Sequence, residues 1–91
     1  GSANAKFDFI PDTIYWLSIN KACQIHDYDY HFGETIRDKM RADHNFLSNM
    51  LIIINSHGGW LRFLRRRRAM KYYEAVVEFG GAAFWANKVK W

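Results

Sequence analysis

The sequence predicts a small all-α domain built around an antiparallel helix pair, with a third helix and an irregular N-terminal segment. Three observations carry this expectation. Apolar residues recur at three- and four-residue spacing over most of the chain, which describes helical faces. Glycines punctuate that pattern at Gly33, at Gly58-Gly59 and at Gly80-Gly81, dividing it into three stretches. No alternation of apolar and polar residues runs long enough to build a sheet.

Residues 1–17 hold the only proline, Pro11, and mix aromatic with polar residues without a sustained period. They read as an irregular leading segment with a turn at Pro11-Asp12. From Ser18 onward Ile19, Ala22, Cys23, His26 and Tyr30 share one helical face, and Gly33 is the expected stop. Thr35 and Asp38 form a capping-box pattern that opens a second helix. Its expected face runs through Ile36, Met40, Asp43, Leu47, Met50 and Ile54. Ser56 to Gly59 break the pattern, and a third helix is expected from about Trp60 to Phe79, closed by Gly80-Gly81. Residues 82–91 read as a short aromatic, basic tail.

With 91 residues and 49% hydrophobic content the chain has material for one core, so 1–91 is read as a single domain. Cys23 is the only cysteine, so no internal disulfide can staple the fold. That suits a reducing compartment or a phage particle. The longest aliphatic stretch, Met50 to Ile54, is too short to span a bilayer, and no signal-peptide pattern opens the chain. Charge is uneven: residues 1–59 carry five Lys or Arg against seven Asp or Glu, whereas residues 60–91 carry eight against two. Such a basic C-terminal third can face anionic lipid or nucleic acid.

Two polar residues fall on the apolar faces of the first two helices, His26 and Asp43. A carboxylate buried there is costly unless paired, and His26 is the evident partner. His26 lies seven residues before Gly33 and Asp43 eight after Thr35. At 1.5 Å per residue each is about 11–12 Å from the turn, so the two meet at similar height in a hairpin. A carboxylate accepting from one imidazole nitrogen sets the tautomer and leaves the other nitrogen to act as a general base toward water. The same pairing also occurs simply as a satisfied polar contact in a core. Asp27 projects about 100° around the helix from His26, where it can offer oxygen to calcium, with carbonyls of the leading segment to complete the shell. Tyr30, one turn beyond His26, is placed to give its hydroxyl to Asp43.

These residues form a recognisable set. Pro11-Asp12, the run Ala22-Cys23-Gln24-Ile25-His26-Asp27-Tyr28-Asp29-Tyr30, then Ala42-Asp43 with Phe46, and Tyr72-Tyr73-Glu74-Ala75-Val76 closing at Phe79-Gly80 resemble the phospholipase A2 superfamily, in particular its bacterial, fungal and phage-encoded members. The resemblance implies calcium-dependent hydrolysis of the sn-2 ester of glycerophospholipids. His26 is then the base, Asp43 its orienting partner, Tyr30 the support of Asp43 and Asp27 a calcium ligand. The chain departs from the family pattern in three places. Trp16 stands where these enzymes usually carry a glycine in the calcium loop, the cysteine that would pair with Cys23 is missing, and only Asp8 or Asp12 can supply the upstream acidic calcium ligand.

Arg65 to Arg68 wrap almost a full helical turn, so one of them is expected to turn toward the core and the rest toward water. Arg65, Arg66 and Arg67, with Trp60, Trp85 and Trp91 as anchors, are the expected contacts to an anionic membrane surface. His31 and His44 fall off the buried faces, His57 is expected in a loop, and the His-Glu-x-x-His pattern of zinc hydrolases is absent. Two readings compete with the hydrolase: a catalytically silent domain of the same scaffold, serving as a structural or binding module, and a basic helical nucleic-acid-binding domain.

Overall fold

The leading segment and the three helical stretches are assembled in a computed structural model that describes residues 10–86 and residue 88. A two-stranded antiparallel ribbon, β1 (Thr13–Ile14) and β2 (Leu17–Ser18), precedes α1 (Asn20–Phe32), α2 (Ile36–His57), α3 (Arg62–Phe79) and α4 (Gly81–Trp85). The mainly helical architecture agrees with the sequence reading. No helix among the described residues is long and apolar enough to cross a membrane.

α1 ends at Gly33, whose N–H donates to the Asp29 carbonyl. Two residues later the capping box forms as the sequence predicts. The Thr35 hydroxyl accepts from the Asp38 N–H, and the Asp38 carboxylate accepts from the N–H groups of Thr35 and Glu34. This satisfies the first orphan donors of α2 and turns it back along α1. Gly58 and Gly59 carry φ of 71° and 87°, a conformation that side chains resist, and they reverse the chain from α2 into α3. α2 is thus the central element, packed against α1 and α3. Its inner face, Phe46, Met50 and Ile54, packs with Ile14, Ile19, Ala22, Ala69 and Val76 in one core. A second, smaller cluster of Tyr30, Ala42, Ala83 and Phe84 closes the other end.

The periodicity placed the α2 face one residue off at its start. Ile36 and Met40 are exposed, and Lys39 and Ala42 are buried instead. Lys39 and Ala42 occupy the inward positions there, Lys39 bonding to α3 and Ala42 packing with Tyr30 of α1, so the apolar residues before Asp43 are not a guide to burial. α3 begins at Arg62 rather than Trp60, which lies exposed in the turn. The expected tail contains a short helix, α4, that seats Phe84 on Tyr30 with ring centroids 5.1 Å apart. Trp85, expected as a membrane anchor, is half-buried and meets Phe84 edge-on. Trp91 lies outside the described residues.

The leading segment is not irregular after Pro11. Thr13 pairs with Ser18 and Ile14 with Leu17, joined by the two-residue turn Tyr15-Trp16. Both turn residues have positive φ, 46° and 69°. Two-residue hairpin turns require that conformation and normally recruit Asn-Gly, so a Tyr-Trp turn gives no sequence signal. α3 holds the turn in place. Arg65 is the arginine that faces inward, and its guanidinium donates to the Ile14 carbonyl at 3.2 Å and the Tyr15 carbonyl at 2.5 Å. Arg68 donates to the Tyr15 hydroxyl and Tyr72 to the Thr13 carbonyl, both at 3.0 Å.

Trp16 is 88% exposed, so its side chain contributes little packing to offset the left-handed backbone. That conformation costs a non-glycine residue about 1–2 kcal/mol, and glycine adds about 0.5–1 kcal/mol of unfolded-chain entropy. Trp16→Gly is therefore expected to raise stability by about 0.5 kcal/mol, read as a higher urea midpoint with an unchanged slope. A loss of 1 kcal/mol or more would contradict the reading of a strained turn to which the Trp16 side chain adds little packing.

Candidate functional site

Helix geometry brings His26 and Tyr30 of α1 onto one face, one turn apart, opposite Asp43 of α2. The Nε2 atom of His26 lies 2.8 Å from Oδ1 of Asp43, and the Tyr30 hydroxyl donates to the same oxygen at 2.5 Å. The other oxygen, Oδ2, accepts from Nζ of Lys39 at 2.7 Å. All four residues are buried, with Asp43 at 1% exposure and His26 at 2%. The Phe46 ring stacks on His26 at 4.6 Å and Tyr30 tilts against it at 4.2 Å, so the imidazole is gripped from two sides.

Burial alone pushes the Asp43 carboxyl upward, but the bonds from His26, Lys39 and Tyr30 and the charge of Lys39 outweigh it. Together they hold Asp43 below the ordinary carboxylate range. Asp43 is therefore ionised at neutral pH and can only accept, which makes Nε2 of His26 the donor. In its neutral form the imidazole carries its lone pair on Nδ1, the nitrogen turned away from Asp43. Tyr30 is driven upward by burial and by its bond to Asp43, so its hydroxyl remains protonated and donating.

The arrangement brings together the three residues expected to cooperate, His26, Asp43 and Tyr30, and adds Lys39. Its position four residues before Asp43 on one helix was the available signal. Lys39 reaches further, to the Val76 carbonyl at 3.2 Å and the Val77 carbonyl at 3.4 Å near the end of α3. One ammonium thus neutralises the carboxylate and satisfies terminal helix carbonyls. Gly80 at that terminus is a close-approach glycine, since a Cβ there would stand 2.6 Å from the Tyr30 hydroxyl.

The expected calcium ligands are distributed as follows. Asp27 flanks His26 and is half-buried, and Asp12 lies at the start of the ribbon with its carbonyl accepting from the Ile19 N–H at the head of α1. Both carboxylates bear on Cys23, whose thiol is pushed up to about 11 first by burial and then by the charges of Asp27 and Asp12. Asp27 and Asp12 thus offer two acidic oxygen donors of the kind a hard cation takes. The carbonyls fit less well: those of Ile14 and Tyr15 are engaged by Arg65 and that of Thr13 by Tyr72. Trp16 points outward at the turn, and Asp8 lies outside the described residues. Among the described residues no group of three or more His, Cys, Asp or Glu side chains is gathered to hold a metal ion.

Arg65 also departs from its expected role at a membrane surface, because it is buried and committed to the ribbon carbonyls. Arg66, Arg67 and Trp60 are exposed. Compared with family models, curated proteins and solved structures, the chain finds no match in any of the three.

Removing Lys39 strands a buried carboxylate oxygen, so Lys39→Met is expected to cost about 3–5 kcal/mol in chemical denaturation. A loss below 1 kcal/mol would show that the ion pair is dispensable. The sign of the pH dependence follows from the depressed Asp43 carboxyl. As pH falls, the unfolded chain takes up this proton first, at about pH 4. Asp43 thus contributes stability that is complete above about pH 4 and fades as pH falls toward its folded value. The difference in stability between wild type and Asp43→Asn is expected to shrink over that acid range. A difference independent of pH would exclude an Asp43 carboxyl depressed by folding.

Proposed function

We propose that this chain is a phospholipase A2-type ester hydrolase in which His26 activates water against a glycerophospholipid. The observation that supports it is the saturation of Asp43 by His26, Tyr30 and Lys39, which leaves His26 in one tautomer. Nδ1 of His26 takes the proton from the attacking water, and Asp43 stabilises the imidazolium that results. Phe46 and Tyr30 keep the ring from rotating out of that position. The water oxygen bonds to the ester carbonyl carbon, and as the bond to the alcohol oxygen breaks the proton passes from Nδ1 to the leaving alcohol; because water is the nucleophile, no covalent enzyme intermediate forms. Asp12 and Asp27 would hold calcium, which when bound supplies positive charge for the substrate phosphate and the developing oxyanion.

A second reading is favoured by a specific observation. His26 is almost wholly buried and Asp43 is already neutralised by Lys39, as in a polar contact retained to hold two helices in register. In that reading the domain is a silent scaffold and a structural or binding module.

Fatty-acid release from phospholipid vesicles separates the two. The hydrolase reading expects release that stops with chelator and returns with calcium but not magnesium, whose octahedral demand suits this donor set poorly. His26→Gln should lower turnover by about 100-fold or more, and Asp43→Asn by a similar order, with helical circular dichroism retained. Asp27→Asn should lose the calcium dependence. Undiminished release in chelator would remove the calcium mechanism, and no release under any condition from a folded protein would establish the silent scaffold.

A further inference from the structure

Several features outside the His26–Asp43 site gather around the ribbon turn. A cleft of about 500 Å³ is lined by Tyr15, Leu64, Arg67, Arg68 and Lys71. Its three cations have no acidic residue among the lining, and Lys71 meets Glu74 only at 3.9 Å in an exposed pair, the kind that contributes little. Residues 64, 67, 68 and 71 form one stripe on the outer side of α3. Next to Tyr15 the turn projects Trp16, 88% exposed. Phe63 and Leu64 add exposed apolar surface on the same helix, and Arg67 stacks over the Phe63 ring at 5.8 Å.

We propose that this face docks on anionic phospholipid bilayers, with Arg67, Arg68 and Lys71 taking headgroup phosphates in the cleft while Trp16 and Leu64 enter the interfacial layer. The inference rests on the phospholipid reading above and specifies the surface from which such a substrate is met. The charge complementarity is direct, since a cluster of Lys and Arg beside exposed aromatic side chains gains from both surface potential and interfacial burial. The turn is built for presentation. Arg65 clamps the carbonyls of Ile14 and Tyr15 from within, and Arg68 bonds the Tyr15 hydroxyl and covers its ring at 5.3 Å. The positive φ of Tyr15 and Trp16 is thereby fixed, and strain held so firmly at an exposed tip accords with a functional surface. Bilayer is favoured over nucleic acid because the Tyr15 face that a base would stack on is already covered, and because Leu64 and Phe63 offer apolar area that phosphate backbones do not engage.

The test uses the full chain carrying His26→Gln, so that binding is read without turnover. Failure of docking then leaves hydrolysis untouched, and absence of fatty-acid release leaves docking untouched. Co-sedimentation is measured with vesicles of phosphatidylcholine alone and of an equimolar mixture with phosphatidylglycerol. Binding to the mixed vesicles is expected to be about tenfold tighter or more, and to weaken as salt is raised. Arg67→Gln with Lys71→Gln should abolish most of that preference, and Trp16→Ala should weaken binding to both vesicles several-fold. Arg37→Gln with Arg41→Gln, an equal charge change on α2, should leave the preference in place. Equal loss in that control would reduce the effect to net charge and overturn the site. So would the absence of any preference for the mixed vesicles, or tighter binding to a double-stranded oligonucleotide that the Arg67 and Lys71 changes abolish.

Discussion

Asp43 is a carboxylate held ionised in the interior of a small helical domain, and a charge taken out of water costs several kcal/mol unless it is fully bonded. Here the bonding comes from three directions at once. α1 supplies His26 and Tyr30, α2 supplies Lys39 from its own preceding turn, and Lys39 carries the connection on to the last carbonyls of α3. A slip of one residue along α1 would move each donor 1.5 Å and rotate it about 100° away from the carboxylate. The polar cluster therefore sets the register of the three helices, which apolar packing alone would specify less sharply.

A second buried cation has a similar task at the other end. Arg65 gives its guanidinium to two carbonyls of the ribbon turn. The short ribbon has few ladder bonds of its own, and no disulfide ties it down. Lys39 and Arg65 thus each bring a buried cation to backbone carbonyls of a neighbouring element. Between them runs the apolar core of Phe46, Met50, Ile54 and Val76. His26 lies where the polar cluster meets this core, with an aromatic ring on one side and a carboxylate on the other. That environment strengthens the His26–Asp43 interaction, because little water screens it.

The same features bear on the balance between a hydrolase and a scaffold. A histidine in a dry site with a fixed tautomer is suited to proton transfer, and Asp27 adjoins it in the chain. The neutralising Lys39 and the deep burial of His26 equally suit a structural pair.

Much of this was legible in the sequence, because it follows from local spacing. The helices, the capping box at Thr35 and Asp38, and the meeting of His26, Tyr30 and Asp43 come from periods of three and four residues and from distances counted from one turn. Lys39 was readable in principle from the same spacing, yet the apolar side chains of Ile36 and Met40 drew the predicted face away from it. Other features were settled only in the folded molecule. That Arg65 among four arginines turns inward, and that Tyr15 and Trp16 accept positive φ, depends on α3 lying against the ribbon, in contacts that span about fifty residues. Local sequence governs which backbone conformations are inexpensive, and on that basis Tyr-Trp does not propose a tight turn. Tertiary packing decides which expensive conformation is nonetheless occupied, because only there do distant donors reach the carbonyls that hold it.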